Sequence, residues 1–264
     1  MPANFDPSAT SSWEAGLFGI PSTRDGARVI IIPVPWEVTT SYGSGTSKGP
    51  LHVLRASPQI DLFDLELGTA YEAGFHLLEI PDTLASLNDE LKPLASAVRA
   101  HHERNGWLNA ETEALLETVN RGCATMSDWV HARAREILDE GRIPAVLGGD
   151  HSTPEGNIRA VCELHGGAVG ILHIDAHADL RESYQGFTRS HASIMNNVMR
   201  APWKPAKLVQ VGIRDFSREE FEMIEARTDI STFLTCISSA NFSRAGRGAI
   251  CAPGSFRNFR KVFT

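Results

Sequence analysis

Cysteine is scarce in this sequence and scattered. Cys123, Cys162, Cys236 and Cys251 show no CxxC spacing, so there is neither a zinc-knuckle pattern nor a disulfide framework. No apolar run approaches the roughly 20 residues that span a bilayer. Residues 1–12 lack the basic start and apolar stretch of a secretion signal, so the cytoplasm is the expected compartment. A positive surplus is missing as well. The formal charge of −7 argues against nucleic-acid or anionic-membrane partners, because phosphate binding needs a basic face. What is present is ordinary for a folded protein: 42% hydrophobic and 22% charged residues. A length of 264 residues suits one sizeable α/β domain or two small ones. Such a chain fits an enzyme acting on small molecules, cationic ones included.

Val29-Ile30-Ile31-Ile32 reads as a strand buried on both faces, ended by Pro33 and Pro35. A Gly/Ser/Thr loop over residues 39–48 is placed to approach a ligand. Short strands are expected near residues 60–67 and 75–80. Residues 111–140 form a long helix, with apolar positions near helical spacing and Gly141 as its stop. Further strands are expected at residues 144–147, 168–175 and 207–212, with helices at 154–163, 190–200 and 217–227. This alternation predicts a mainly parallel sheet covered by helices on both faces, a three-layer α/β/α class.

Three segments carry chemistry. Gly148-Gly-Asp-His151-Ser152 follows a strand, where loops of parallel sheets line the ligand crevice. Taken alone it is weak, since a loop histidine after aspartate is common. His173-Ile-Asp175-Ala-His177-Ala-Asp179 closes the next strand. If the extended form persists, Asp175, His177 and Asp179 share one side. Clustered carboxylates repel one another, and a divalent cation relieves that cost. Mixed carboxylate and imidazole donors suit Mn²⁺, Fe²⁺, Zn²⁺ or Co²⁺, with carboxylate richness leaning towards Mn²⁺. Ser190-His191-Ala-Ser193 opens a helix. There Ser190 is the expected N-cap, and a neutral His191 could shuttle a proton.

In this order and spacing the segments resemble the ureohydrolase superfamily of arginases, agmatinases and formimidoylglutamases. The agmatinase branch is nearest, because Gly43-Ser-Gly-Thr46, Gly49-Pro50 and Val211-Gly-Ile-Arg-Asp215 are also similar to it. The resemblance runs from about Val29 to Arg227. It implies an arginase-like fold and hydrolysis of a linear amidine, with agmatine or another guanidino compound giving an amine and urea. It also implies two Mn²⁺ ions with a hydroxide between them, and a trimeric or hexameric homo-oligomer. His151, Asp175 and Asp179 would hold one ion, and Asp175 with His177 the other. His191 matches the proton shuttle, and Arg181 matches the position that meets the distal end of substrate. Asp215 falls outside this cluster. A single-zinc deacetylase on a related architecture is disfavoured by the Gly43 loop and both metal motifs.

One family segment is missing. Relatives carry an S-x-D-x-D-x-x-D-P run on a later strand, whereas after Asp179 this chain has only Asp215 and Asp229. Its absence leaves a catalytically inactive binding or assembly subunit as the rival expectation. Residues 230–264 hold no Asp or Glu but include Arg244, Arg247, Arg257, Arg260 and Lys261. The expected organisation is therefore an incomplete α/β domain over residues 1–235 and an atypical, poorly ordered tail over 236–264. The C-terminal strands would be missing, leaving an open sheet edge beside residues 207–212. Codons that can encode residues 251–264 yield, in another frame, a peptide similar to the family's sequence before the aspartate strand. A reading frame lost between Leu234 and Ala245 accounts for this. Sequencing the coding DNA checks it: a family-like peptide should appear in an alternative frame, and its absence from both overturns the account.

Overall fold

The computed structural model describes residues 5–7, 9 and 11–234. The proposed tail and frame loss, with Cys236 and Cys251, lie outside the described residues. The chain divides into two compact units, residues 1–160 and 161–264. Each contains a three-stranded, all-parallel sheet. The α/β class with parallel strands is thus the observed one. No described helix is long and apolar enough to cross a membrane.

In the first unit, β1 (Val29–Val34) runs between β2 (Phe75–Leu77) and β3 (Ile143–Gly148). Ile30, Ile32 and Val34 are fully buried and Ile31 nearly so, which is why a continuous apolar run suits this strand. The expectation that Pro33 ends it is corrected. Pro33 pairs with Leu147 inside the strand. The carbonyl of Ile31 points towards β2, accepting from Leu78 N at 2.9 Å, so Pro33 faces that same side. The β1–β2 register stops at Ile31–Leu77, and Pro33 therefore removes no ladder bond.

Two long helices accompany this sheet, between the shorter α1 (Gly49–Ala56) and α4 (Glu155–Leu164) in chain order. The predicted one is α3 (Ala110–Asp139), started by a reciprocal capping box between Asn109 and Thr112. Its neighbour α2 (Asp82–Asn105) was not foreseen, although Leu84, Asn88, Leu91, Ala95 and Val98 form a buried stripe at helical spacing. The two helices approach so closely that a Cβ on Gly122 would sit 2.1 Å from Leu91 Cδ1. The strand expected near residues 60–67 is absent. Asp64 Oδ1 accepts from Glu66 N at 2.9 Å and Leu67 N at 2.7 Å, closing an Asx turn instead.

In the second unit, β5 (Lys207–Ile213) lies between β4 (Gly170–Ile174) and β6 (Ile230–Leu234). The edge expected beside residues 207–212 is therefore filled on both sides. Among the described residues the unit's outer strands are β4 and β6, and on β4 Leu172 and Ile174 are 44% and 74% exposed. The strand β6 begins where the sequence loses its regular character, and its pairing supplies the order that its composition does not announce. The helix α6 (Arg218–Ala226) has a capping box between Ser217 and Glu220. The helix α5 spans only Ile194–Arg200, with Ser193 at its N-cap. Ser190 is thus not the cap: its hydroxyl pairs with that of Ser193 at 2.9 Å.

The turn into β6 is held by Asp229. Its carboxylate accepts from Arg227 Nε and Nη2, at 2.8 and 2.7 Å, and from Lys204 Nζ at 2.7 Å. The bonds from Arg227, reinforced by Lys204, outweigh burial and hold the Asp229 carboxyl far below the usual carboxylate range. A lowered folded-state pKa gives stability that is complete above the unfolded value of about 3.9 and is lost as pH falls below it. Asp229→Asn should cost roughly 1–2 kcal/mol at neutral pH, after allowance for partial exposure. In denaturant melts, the gap between variant and parent should be constant at neutral pH and narrow progressively as pH falls below about 4; a gap that widened in acid would contradict the assignment.

Candidate metal centre

In the first unit, the strand β3 delivers Gly148 to Ser152 into a tight turn. A Cβ on Gly149 would lie 2.1 Å from the Trp36 carbonyl oxygen, so only glycine permits this approach to the loop after β1. Asp150 N donates to that carbonyl at 2.9 Å. Asp150 Oδ1 in turn accepts from Ser152 N at 2.8 Å and Ser152 Oγ at 2.5 Å. Asp150 is thus the turn's organiser, and it places half-buried His151 at the strand's C-terminal end.

The Gly/Ser/Thr loop over residues 39–48 is anchored from below by Glu37. This buried carboxylate accepts from Gly45 N at 2.6 Å and Ser47 N at 3.0 Å, and pairs with Lys92 on α2. Burial pushes the Glu37 carboxyl up, but Lys92 and the two backbone donors outweigh it and leave it lowered. Tyr42, at the loop's tip, is 98% exposed. A charged clamp at the base and an open tip suit a loop that meets a ligand.

The second unit holds the main cluster. Regular β4 stops at Ile174, where Asp175 Oδ1 accepts from His177 N at 2.8 Å. That side-chain bond engages the His177 amide, while Asp175 N still donates to Val211 O at 3.1 Å and His177 pairs in parallel with Asp215 beyond the regular strand. Asp179 then has φ +53°, in the left-handed region that Asp tolerates better than most residues. The extended form therefore does not persist through Asp179. The Asp179 carbonyl accepts from Met195 N at 3.0 Å and Asn196 N at 3.2 Å, tying this turn to the first residues of α5.

His173, Asp175 and Asp179 each bring a ligand atom within 4.8 Å of the others. His177 stands on another side of Asp175, with Nδ1 3.4 Å from Asp175 Oδ1. Its Nε2 is 3.7 Å from Asp215 Oδ2, so Asp215 is nearer the chemistry than the sequence motif suggests. His173 is the residue that motif reading passed over. Its signal was available: it precedes Asp175 by two positions on one strand, and alternation alone puts both on one face.

His191 packs edge-on against Tyr184, with ring centroids 5.7 Å apart. Its Nδ1 is buried and has no hydrogen-bond partner among the described residues. Arg181 lies over the other part of this group, its guanidinium carbon 5.2 Å from the Tyr184 ring centroid. Its Nε is 3.6 Å from Glu220 Oε2. Glu220 is buried and also accepts from Leu180 N at 2.9 Å. Arg181, Tyr184 and His191 thus form one contiguous series, Arg181 over the Tyr184 ring and His191 edge-on to it.

Comparison with known proteins decides the family. The Arginase family model matches residues 27–236. The chain belongs to the arginase family. It is 29% identical over 205 residues to the N(1)-aminopropylagmatine ureohydrolase of a Synechocystis strain, covering 76% of this chain and 55% of that protein. Against a Thermus thermophilus enzyme of the same name it is 32% identical over 209 residues, covering 78% and 58%. It therefore spans little more than half the length of these relatives. Among solved structures, it is similar to the agmatine ureohydrolase of Thermoplasma volcanium (20% identity, TM-score 0.55, 86% of this chain and 62% of that one). The arginase of Medicago truncatula gives 25% identity and a TM-score of 0.57, over 79% and 57%.

The arrangement fits a divalent cation. The Asp175 and Asp179 carboxylates come within 4.8 Å of each other beside an imidazole, and two such hard donors repel each other without positive charge between them. Asp175 is the centre, because its two oxygens face different imidazoles. With Mn²⁺ as the probe ion, Asp175→Ala should abolish the divalent-cation binding that electron paramagnetic resonance detects in the parent. Asp215→Ala should weaken it far less, since among the described residues the Asp215 carboxylate meets this group through His177, at 3.7 Å. Equal losses from both would refute this placement.

Proposed function

We propose that the chain carries metal-binding machinery of a hydrolase that cleaves a guanidino C–N bond, with Mn²⁺ as the metal. The approach of the Asp175 and Asp179 carboxylates to within 4.8 Å of each other is the observation that carries this reading. Following the motifs, His151, Asp175 and Asp179 are assigned to one ion, and Asp175 with His177 to the second. When bound, such an ion pair supplies Lewis acidity and a nucleophile at neutral pH. The protein's part is to fix the donors: Asp175 is held from one side by His177 N, and Asp179 by the turn onto α5.

His191 is proposed as the group that returns a proton to the leaving amine. Its buried Nδ1 and its packing on Tyr184 favour a ring held in one orientation by contacts rather than by hydrogen bonds at that atom. Arg181 is assigned to the distal end of the substrate, with Tyr184 and Glu220 holding it in place. The substrate class is a linear guanidino compound of the agmatine type, an aminopropyl derivative included, as the names of the relatives suggest. A net charge of −7 favours such cations electrostatically. The expected setting is cytoplasmic polyamine metabolism, in a homotrimer or homohexamer.

One observation favours a second reading, a non-catalytic binding or assembly subunit: among the described residues after Asp179, Asp229 is already engaged by Arg227 and Lys204. Metal content and turnover separate the two readings. Urea release should be measured on agmatine, aminopropylagmatine and arginine with added Mn²⁺. The enzyme reading requires release from at least one and about two ions per chain; a folded, metal-binding chain that releases none supports the subunit. In an active chain, His191→Ala should lower kcat roughly 10²–10⁴-fold with metal content preserved. Loss of metal in that variant would show His191 to be a ligand or a support for one.

A further inference from the structure

His173 poses a choice that its position alone does not settle. Its ring is nearly buried, on β4, two residues before Asp175, and one of its nitrogens belongs to the compact donor group. A ligand needs a bare nitrogen, whereas an orienting residue needs an N–H. The environment of the ring decides between them.

Gln210, at the centre of β5, is fully buried. Its Nε2 is 2.7 Å from the Ala178 carbonyl oxygen and 3.0 Å from His173 Nδ1. A carbonyl can only accept, so the amide nitrogen must face Ala178, and the amide cannot be turned over. Thr232 Oγ1, from β6, donates to Gln210 Oε1 at 2.9 Å, which is consistent with that orientation. The two hydrogens of Nε2 then point at Ala178 O and at His173 Nδ1. His173 Nδ1 must therefore be the accepting, unprotonated nitrogen. The neutral ring carries its hydrogen on Nε2, and Nε2 lies 3.5 Å from Asp175 Oδ2.

We propose that His173 is a positioning residue for the Asp175 carboxylate rather than a metal ligand, with its tautomer set by Gln210 and Thr232. The inference rests on the assignment of Asp175 as a ligand. His177 N holds Oδ1 at 2.8 Å, and His173 Nε2–H faces Oδ2 at 3.5 Å, an electrostatic contact longer than a hydrogen bond. Donors behind a metal-binding carboxylate fix its orientation and raise metal affinity. Gln210 and Thr232 are one step further back, and they reach the site from two different strands.

The direct test is long-range ¹H–¹⁵N correlation of the histidine side chains in the full 264-residue chain, with His173 assigned by substitution. In the metal-free chain, Nδ1 should resonate as a pyridine-type nitrogen and Nε2 as a protonated, pyrrole-type one. A protonated Nδ1 overturns the proposal. With Zn²⁺ added as a diamagnetic probe, Nε2 should keep its hydrogen; its loss would make His173 a ligand. Gln210→Leu should allow the Nδ1–H tautomer to appear. A second measurement is Mn²⁺ affinity by electron paramagnetic resonance. His173→Gln keeps a donor N–H near Nε2 and should stay within about threefold of the parent, whereas His173→Leu should lose roughly 10–100-fold. Equal losses in both variants overturn the positioning role. If the parent chain binds no Mn²⁺, the metal reading of the site fails. The metal-free spectrum still decides the tautomer by itself.

Discussion

The hydrogen bond from His177 N to the Asp175 carboxylate, 2.8 Å long, is the interaction on which the second unit's chemistry depends. A parallel strand keeps its neighbours in register as long as its backbone groups stay in the ladder. At Asp175 a side chain takes over one of those groups, the amide of His177, and the regular ladder gives way to a single bridge between His177 and Asp215. The next residues are then free to turn: Asp179 adopts a positive φ, and its carbonyl meets the first residues of α5. Without the break, alternation would carry the acidic side chains along one face of an extended strand, spaced too far apart to share an ion. The turn brings Asp179 back to within 4.8 Å of Asp175 and His173.

Two aspartates of this unit show how charge is handled in different ways. Asp229 is surrounded by Arg227 and Lys204, and its carboxyl is held far below the usual range. Its charge is already neutralised locally, and what it contributes is stability at the start of β6. Asp175 is bordered instead by the imidazoles of His173 and His177 and by another carboxylate. A neutral imidazole such as that of His173 orients a carboxylate without supplying a full positive charge. The first arrangement is complete as it stands; the second is organised to receive a cation. Sequence position does not separate them, since both aspartates border a strand end.

Much of this was legible in the sequence, for physical reasons that can be named. The run at residues 29–32 could only be a strand buried on both faces, and the stripe from Leu115 to Ile137 could only be helical. Asp175 and Asp179 were legible as donors because carboxylates repel one another at such spacing. What was not legible depended on partners distant in sequence. Pro33 remains in β1 because β2 ends early, a fact about residue 77 and not about residue 33. The helix α2 has a clear buried stripe, but Pro93 within it weakens the local signal. The strand β6 has a composition of its own and is ordered by pairing with β5. Residues 60–67 contain apolar alternation, yet Asp64 bonds two nearby amides and the apolar side chains stay exposed.

The same distinction separates the roles of the two histidines flanking Asp175. His177 is part of an obvious motif, lies on the more exposed side, and carries a side chain that is 60% exposed. His173 is buried, and its chemistry is set by Gln210, a residue that looks like an ordinary polar insertion in an apolar strand. A buried amide is costly unless all of its groups are satisfied. Gln210 meets that condition with Thr232, Ala178 and His173 together. Once those bonds are made, the imidazole has no choice of tautomer. The constraint runs from β6 through β5 to β4 and ends at the Asp175 carboxylate, so the sheet that holds the cluster in place also fixes which nitrogen faces it.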